Sequence, residues 1–216
     1  MLKGLFITLE GPEGSGKSTQ ASRIEKYVIS LGIPCVRTRE PGGTSIGNRI
    51  RGILLDPEAE EMKQRTEMLL YAASRAQLVE EVIRPALAAG KVVLCDRFVD
   101  SSLVYQGYGP QWDMDEVLSV NRIATGGLVP DRTYLLDLSV EESAERLVKR
   151  GKGVDRIEQK GEAFHRRVRE GFLELARVHP QRYCVIDAAQ PVDQVFEELR
   201  KDLDSYLKKR RASQRS

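Results

Sequence analysis

The stretch Gly11-Pro12-Glu13-Gly14-Ser15-Gly16-Lys17-Ser18-Thr19 decides the fold of this 216-residue chain. It fits the phosphate-binding pattern G-x-x-x-x-G-K-[ST] and lies between the apolar run Leu5-Phe6-Ile7-Thr8-Leu9 and a helix-like run marked by Ile24, Val28 and Leu31. The glycines allow successive backbone N–H groups to converge on one anion. The helix that starts near Lys17 adds the positive end of its dipole. Lys17 brings a full charge to the β- and γ-phosphates of a nucleotide, and the Ser18 hydroxyl is placed to ligate Mg²⁺. Glu13 is out of character, a carboxylate in a loop built for anions.

Working outward, Leu5 to Leu9 has the look of a central parallel strand buried on both faces. Pro34 to Thr38 reads as a second strand, and the segment Arg39-Glu40-Pro41-Gly42-Gly43-Thr44 as a turn. A short helix over 46–55 precedes a long one whose apolar stripe is Leu69, Ala72, Ala76, Val79, Ile83 and Ala86, with Pro85 kinking or breaking it near its end. Strands over 92–95, 133–138 and 183–186 alternate with helices over 141–150, 162–177 and 192–207. This order predicts an α/β fold, a five-stranded parallel sheet with right-handed crossovers and helices on both faces. Ligands then gather at the carboxyl ends of the strands. That rule brings the phosphate loop, the 39–44 turn, Asp96-Arg97 and the Asp187 loop to one rim.

Composition narrows the class. Hydrophobic residues make up 41% and charged residues 31%, the balance of a globular domain, and 34 basic against 32 acidic residues leave no field that would draw nucleic acid. The length suits a single domain over 1–207. The basic end, Lys208-Lys209-Arg210-Arg211 and onward to 216, reads as a disordered, solvated tail. Cys35, Cys95 and Cys184 are odd in number and far apart, and read as buried reduced thiols of a cytoplasmic protein. No stretch is long and apolar enough to span a membrane.

Asp96 ends a strand, the usual place for a carboxylate that holds Mg²⁺ or its waters. The next residue is Arg97, a guanidinium suited to gripping phosphoryl oxygens, where a water-activating motor would carry a second acid. This favours transfer to a bound acceptor over hydrolysis. The glycine-broken basic loop at about 150–160, with Arg150, Lys152 and Arg156, reads as a lid that lends positive charge to a transition state. Tyr71 and Arg75, four apart on the long helix, suit stacking on a base and donation to a carbonyl, although a plain surface pair has the same spacing. A nucleotide-driven switch is the competing class, but no N-K-x-D segment is present.

Several segments in order, Glu13 to Lys17, Arg39 to Thr44, Tyr71-Ala72-Ala73-Ser74-Arg75, Asp96-Arg97-Phe98, Tyr105-Gln106-Gly107 and Asp155-Arg156-Ile157-Glu158, resemble those of the bacterial thymidylate kinases. The resemblance covers residues 5 to about 207. It implies the three-layer phosphate-loop kinase fold and Mg²⁺-dependent transfer of the γ-phosphoryl of ATP to dTMP. It further implies that Tyr71 stacks on thymine and Arg75 donates to its O4, and that Ser102 and Gln106 line the base and sugar. Tyr105 would leave no room for a ribose 2′-hydroxyl. Arg39, Arg51 and Arg97 would hold the acceptor phosphate, with Glu40 and Pro41 beside them, and Glu13 would face the acceptor's 3′-hydroxyl. Lys17, Asp96, Arg97, Arg150 and Arg156 form the implied catalytic set, and Ser18 and Asp96 the implied metal ligands. Arg146 and the 187–191 loop would form the adenine platform. ATP and dTMP are the implied partners, and a homodimer the implied assembly. Another nucleoside monophosphate kinase is the nearest alternative, against which Tyr71, Arg75 and the 105–107 stretch argue.

Overall fold

The computed structural model describes residues 4–151, 153 and 155–213. Five parallel strands form one sheet in the order β2-β3-β1-β4-β5: β1 (Leu5–Glu10), β2 (Cys35–Arg39), β3 (Val92–Asp96), β4 (Arg132–Asp137) and β5 (Tyr183–Asp187). The chain leaves the central β1 for the edge strand β2, returns to fill the gap with β3, then crosses to β4 and β5 on the other side. The end of β1 is therefore the switch point at which a crevice opens.

Helices α1 (Lys17–Ser30) and α9 (Val192–Ser213) cover one face, closing a core of Ile7, Leu9, Ile24, Val28, Leu136 and Leu199. On the other face lie α2 (Ser45–Leu55), α3 (Gln64–Leu78), α4 (Arg84–Ala88), α5 (Val99–Ser102), α6 (Met114–Thr125) and α8 (Glu162–Val178). Helix α7 (Val140–Arg150) follows β4, capped by Ser139, whose hydroxyl accepts from the Glu142 amide. A π-helical turn, Val79–Ile83, joins α3 to α4 just ahead of Pro85. This is the disruption expected where a ring without an N–H meets a helix.

Three expectations need correction. Leu69 is exposed, and the buried face of α3 runs through Glu67, Met68, Ala72, Ser74, Arg75 and Leu78. The face is polar because it lines a site and not only a core, which no apolar period can reveal. Cys95 is buried, whereas Cys35 and Cys184 on the outer strands are only partly so. The boundary at 207 falls inside α9, which continues to Ser213 with Arg210 donating to the Gly4 carbonyl at 2.6 Å. Residues 214–216 of the expected tail lie outside the described residues. Among the described residues, no helix is long and apolar enough to cross a membrane.

Candidate active site

The phosphate loop leaves β1 pressed against β4. Gly11 has φ +134°, and a Cβ there would sit 2.3 Å from the Leu136 carbonyl oxygen, so only glycine fits. Pro12 and Ser15 are buried, while Thr19 is exposed on the first turn of α1. The Lys17 ammonium folds back over the loop and donates to the carbonyls of Gly11 (3.0 Å) and Pro12 (2.6 Å) and to Ser15 Oγ (3.2 Å). Burial, helped by repulsion from Arg97, lowers its pKa to about 8. The Ser18 hydroxyl donates to Asp96 Oδ2 at 2.5 Å, bringing together the two expected metal ligands from α1 and β3.

Arg97 stands beside them with an unusual backbone, φ +70°, its N–H bonded to the Leu9 carbonyl at 2.9 Å. Its guanidinium donates to Glu13 Oε1 (2.8 Å) and Ser101 Oγ (3.1 Å) and lies 5.0 Å from the centre of the Tyr105 ring. The Tyr105 hydroxyl is bonded to the same carboxylate, 2.7 and 2.8 Å from its two oxygens. Burial pushes the Glu13 pKa up, but Arg97, Lys17 and Tyr105 together pull it below the usual carboxylate range. The anomalous acid of the loop is thus an ionised clamp on Arg97.

Sequence reasoning missed Glu10, which ends β1 and is fully buried. It accepts from the Phe98 amide (2.7 Å) and Ser101 Oγ (2.6 Å), fixing the segment that follows Arg97. Burial and the nearby Asp100 push it up to about 7. Its only signal was an acid closing an apolar strand.

Across Arg97 a cavity of about 260 Å³ opens, bounded by Arg39, Arg51, Tyr71, Gln106, Asp155 and Glu158. Arg51 donates to the Pro41 carbonyl at 3.0 Å, after a cis Glu40–Pro41 peptide. Burial and the neighbouring Arg39 lower its pKa. Arg75 lies beneath, only 1% exposed, and all three of its side-chain nitrogens have partners. Nε and Nη2 reach Glu40 Oε2 at 2.7 and 2.6 Å, Nη2 also reaches the Phe98 carbonyl, and Nη1 reaches Ser102 Oγ and Asn121 Oδ1. A base carbonyl can take a bond from Arg75 only by displacing one of these. Asn121, on α6, carried no signal in the sequence.

The basic loop also differs from expectation. Arg150 lines the cavity but forms a two-pronged pair with Glu158, at 3.0 and 2.8 Å. Arg156 is not among the lining residues: it donates to the Leu54 carbonyl (3.1 Å) and pairs with Glu67 at 2.7 Å. A buried carboxylate distant in sequence captured the guanidinium that spacing alone assigned to a phosphate. Lys152 lies outside the described residues. Arg146 spans the donor side, reaching the Gly14 carbonyl (3.2 Å) and the Ala188 carbonyl (2.8 Å), and so ties the phosphate loop to the 187–191 loop.

A model of the thymidylate kinase family matches residues 9–199. This chain belongs to the thymidylate kinase family. It is 54% identical to a thymidylate kinase of Exiguobacterium sibiricum, over 97% of this chain and 98% of the relative. It is 51% identical to that of Deinococcus radiodurans, over 92% of this chain and 96% of the relative. Its fold is similar to the crystal structure of thymidylate kinase from Ehrlichia chaffeensis, with a TM-score of 0.75, 33% identity, and coverage of 93% and 98% of the two chains. The family's phosphate-loop kinase fold is the observed one, a parallel five-stranded sheet between helices.

For this thymidylate kinase family member, the Lys17 environment carries a pH prediction. Its charge is present below pH 8 and lost above it, and kcat/KM reports groups of the free enzyme. The value of kcat/KM for ATP is expected to fall about tenfold between pH 7 and pH 9. A flat profile over that interval would refute the assignment.

Proposed function

We propose that this chain transfers the γ-phosphoryl group of ATP to the phosphate of dTMP, producing ADP and dTDP for dTTP synthesis. The observation that carries the reading is that Arg97 pairs with Glu13 of the phosphate loop and lines one cavity with Lys17, Tyr71 and Gln106. One guanidinium can then meet the phosphates of both nucleotides. An acceptor phosphate oxygen forms the new bond to the γ-phosphorus as the bond to the ADP oxygen breaks. Such a transfer asks the protein for alignment and neutralisation, not for a nucleophile.

Lys17 and the loop amides hold the donor phosphates, and Arg39, Arg51 and Arg97 the acceptor phosphate. Tyr71 offers its ring to the base, and burial, reinforced by Glu67, raises its pKa so that it stays neutral. Arg75 and Ser102 shape the pocket floor, with Glu40 and Pro41 supporting them. Tyr105 and Glu13 face the sugar while they hold Arg97. The donor's base and ribose would lie beside Arg146, which ties the phosphate loop to the 187–191 loop. Arg150 closes the cavity from the lid side, and Arg156 acts from its seat on Glu67.

Ser18 Oγ and Asp96 Oδ2, hard oxygens in contact, suit Mg²⁺, which takes one or two protein oxygens and fills its shell from phosphates and water. Among the described residues no group of three His, Cys, Asp or Glu side chains is placed to hold a metal. The bound ion would neutralise charge on the bridging phosphate oxygens.

Ile46 and Ile53 on α2, Leu69 on α3 and Leu118 and Ile123 on α6 are exposed apolar residues on three helices that pack side by side. They suit a surface shared by two copies in a cytoplasmic homodimer.

The deciding experiment offers ATP, Mg²⁺ and each nucleoside monophosphate in turn and measures ADP. Release is expected to be fastest with dTMP. Equal turnover of dTMP and UMP would overturn the base and sugar assignment, and release without any acceptor would indicate a nucleotide-driven switch.

A further inference from the structure

Glu67 lies near the start of α3 with its side chain only 4% exposed, and it joins two parts of the site. Its Oε1 accepts from Gln106 Nε2 at 2.9 Å, and Gln106 lines the acceptor cavity. Its Oε2 takes Arg156 at 2.7 Å and Lys160 at 3.6 Å, both from the segment 155–160. That segment is itself a tight turn. The Asp155 carboxylate accepts from the amides of Ile157 and Glu158 at 2.9 Å each, and Arg150 closes onto Glu158. Its inner wall, Asp155, Ile157 and Glu158, borders the same cavity as Gln106. Arg156 also holds the Leu54 carbonyl, at the end of the helix that carries Arg51.

From this we infer that Glu67 is a positioning residue coupling the acceptor pocket to the lid segment. The inference rests on the dTMP kinase reading for its substrates. A buried carboxylate satisfied on both oxygens has little freedom, so the pose of Gln106 and the seat of Arg156 are set together. Removing the charge while keeping the shape, Glu67→Gln, lets the amide still meet Gln106 but leaves Arg156 and Lys160 without an anion. The lid segment then loses its anchor to α3, and with it the alignment of Arg150 and Arg51 across the cavity. The two cations, left side by side and partly shielded from solvent, repel one another.

The test is a pair of double-mutant cycles on the full chain, read as kcat and as KM for dTMP. Glu67→Gln is expected to lower kcat about tenfold in the wild-type background and by no more than about twofold when Arg156→Ala is already present. Multiplying effects, with the same kcat loss in both backgrounds, would overturn the coupling. In the second cycle, Gln106→Ala and Arg156→Ala are combined with Glu67 intact. These two side chains communicate through its carboxylate, so their effects on kcat/KM for dTMP are expected to depart from a simple product by about threefold or more. A simple product would overturn the inference even if Glu67→Gln failed to fold. The wild-type acceptor screen separates this outcome from failure of the functional reading, because the cycles can be run with whichever monophosphate the protein accepts.

Discussion

Replacement of Arg97 by alanine is expected to lower kcat about a thousand-fold while changing KM for ATP little, as for other arginines that meet phosphoryl transition states. The size follows from position. Arg97 is the cation that pairs with the phosphate-loop acid Glu13 and also lines the acceptor cavity. Burial opposes its charge, but Tyr105, Glu13, Asp96 and Glu10 together raise its pKa, so it remains a cation through the reaction. Arg97→Lys keeps the charge but loses the fork that reaches Glu13 and Ser101 at once, and should recover only a small part of the loss. The alanine variant also strands Glu13 without its strongest partner. Adding Glu13→Gln should therefore restore part of any lost thermal stability without restoring turnover. Steady-state kinetics and thermal melts of the three variants check this. A loss of kcat under about tenfold in Arg97→Ala would remove Arg97 from the transition state.

The largest effect on stability is expected at Arg75. Its pairing with Glu40 is almost wholly enclosed, 1% and 2% exposed, and burial pushes the Glu40 pKa up against the pull of Arg75. Removing one member of such a pair leaves an uncompensated buried charge and typically costs about 3–5 kcal/mol. For a chain of this size that corresponds to a melting temperature lower by roughly 6–20 °C. Arg75→Ala should show this fall, together with a weakened dTMP KM, because Ser102 and the Phe98 carbonyl lose their partner beneath the pocket. Combining Arg75→Met with Glu40→Gln removes both charges and should recover much of the stability but not the dTMP affinity. A melting temperature within about 3 °C of wild type for Arg75→Ala would show that the pair contributes little to the fold.

Much of this molecule was legible from local rules. The phosphate loop, the five strands and the break ahead of Pro85 each follow from a few consecutive residues. The meeting of Ser18 with Asp96 follows from where strands end in a parallel sheet. The charged partners were harder to read. Tyr71 and Arg75 have identical spacing whether they form a surface pair or a pocket floor, and Arg156 carries the same charge whether it faces a phosphate or Glu67. Asn121, Glu67 and Glu10 sit in no motif. Their roles come from packing against segments that local pattern does not relate to them.

The sequence by itself determined the parallel sheet, the nucleotide site at the end of its first strand, and the chemistry of an arginine-rich transfer. These rest on backbone stereochemistry and on the two-residue and 3.6-residue periods, which act over a few neighbours. Only the tertiary structure decided which acid holds which arginine, with Glu13 on Arg97, Glu40 on Arg75 and Glu67 on Arg156. Long guanidinium arms reach many carboxylates, and burial, which makes an unpaired charge expensive, selects among them only once the chain has folded.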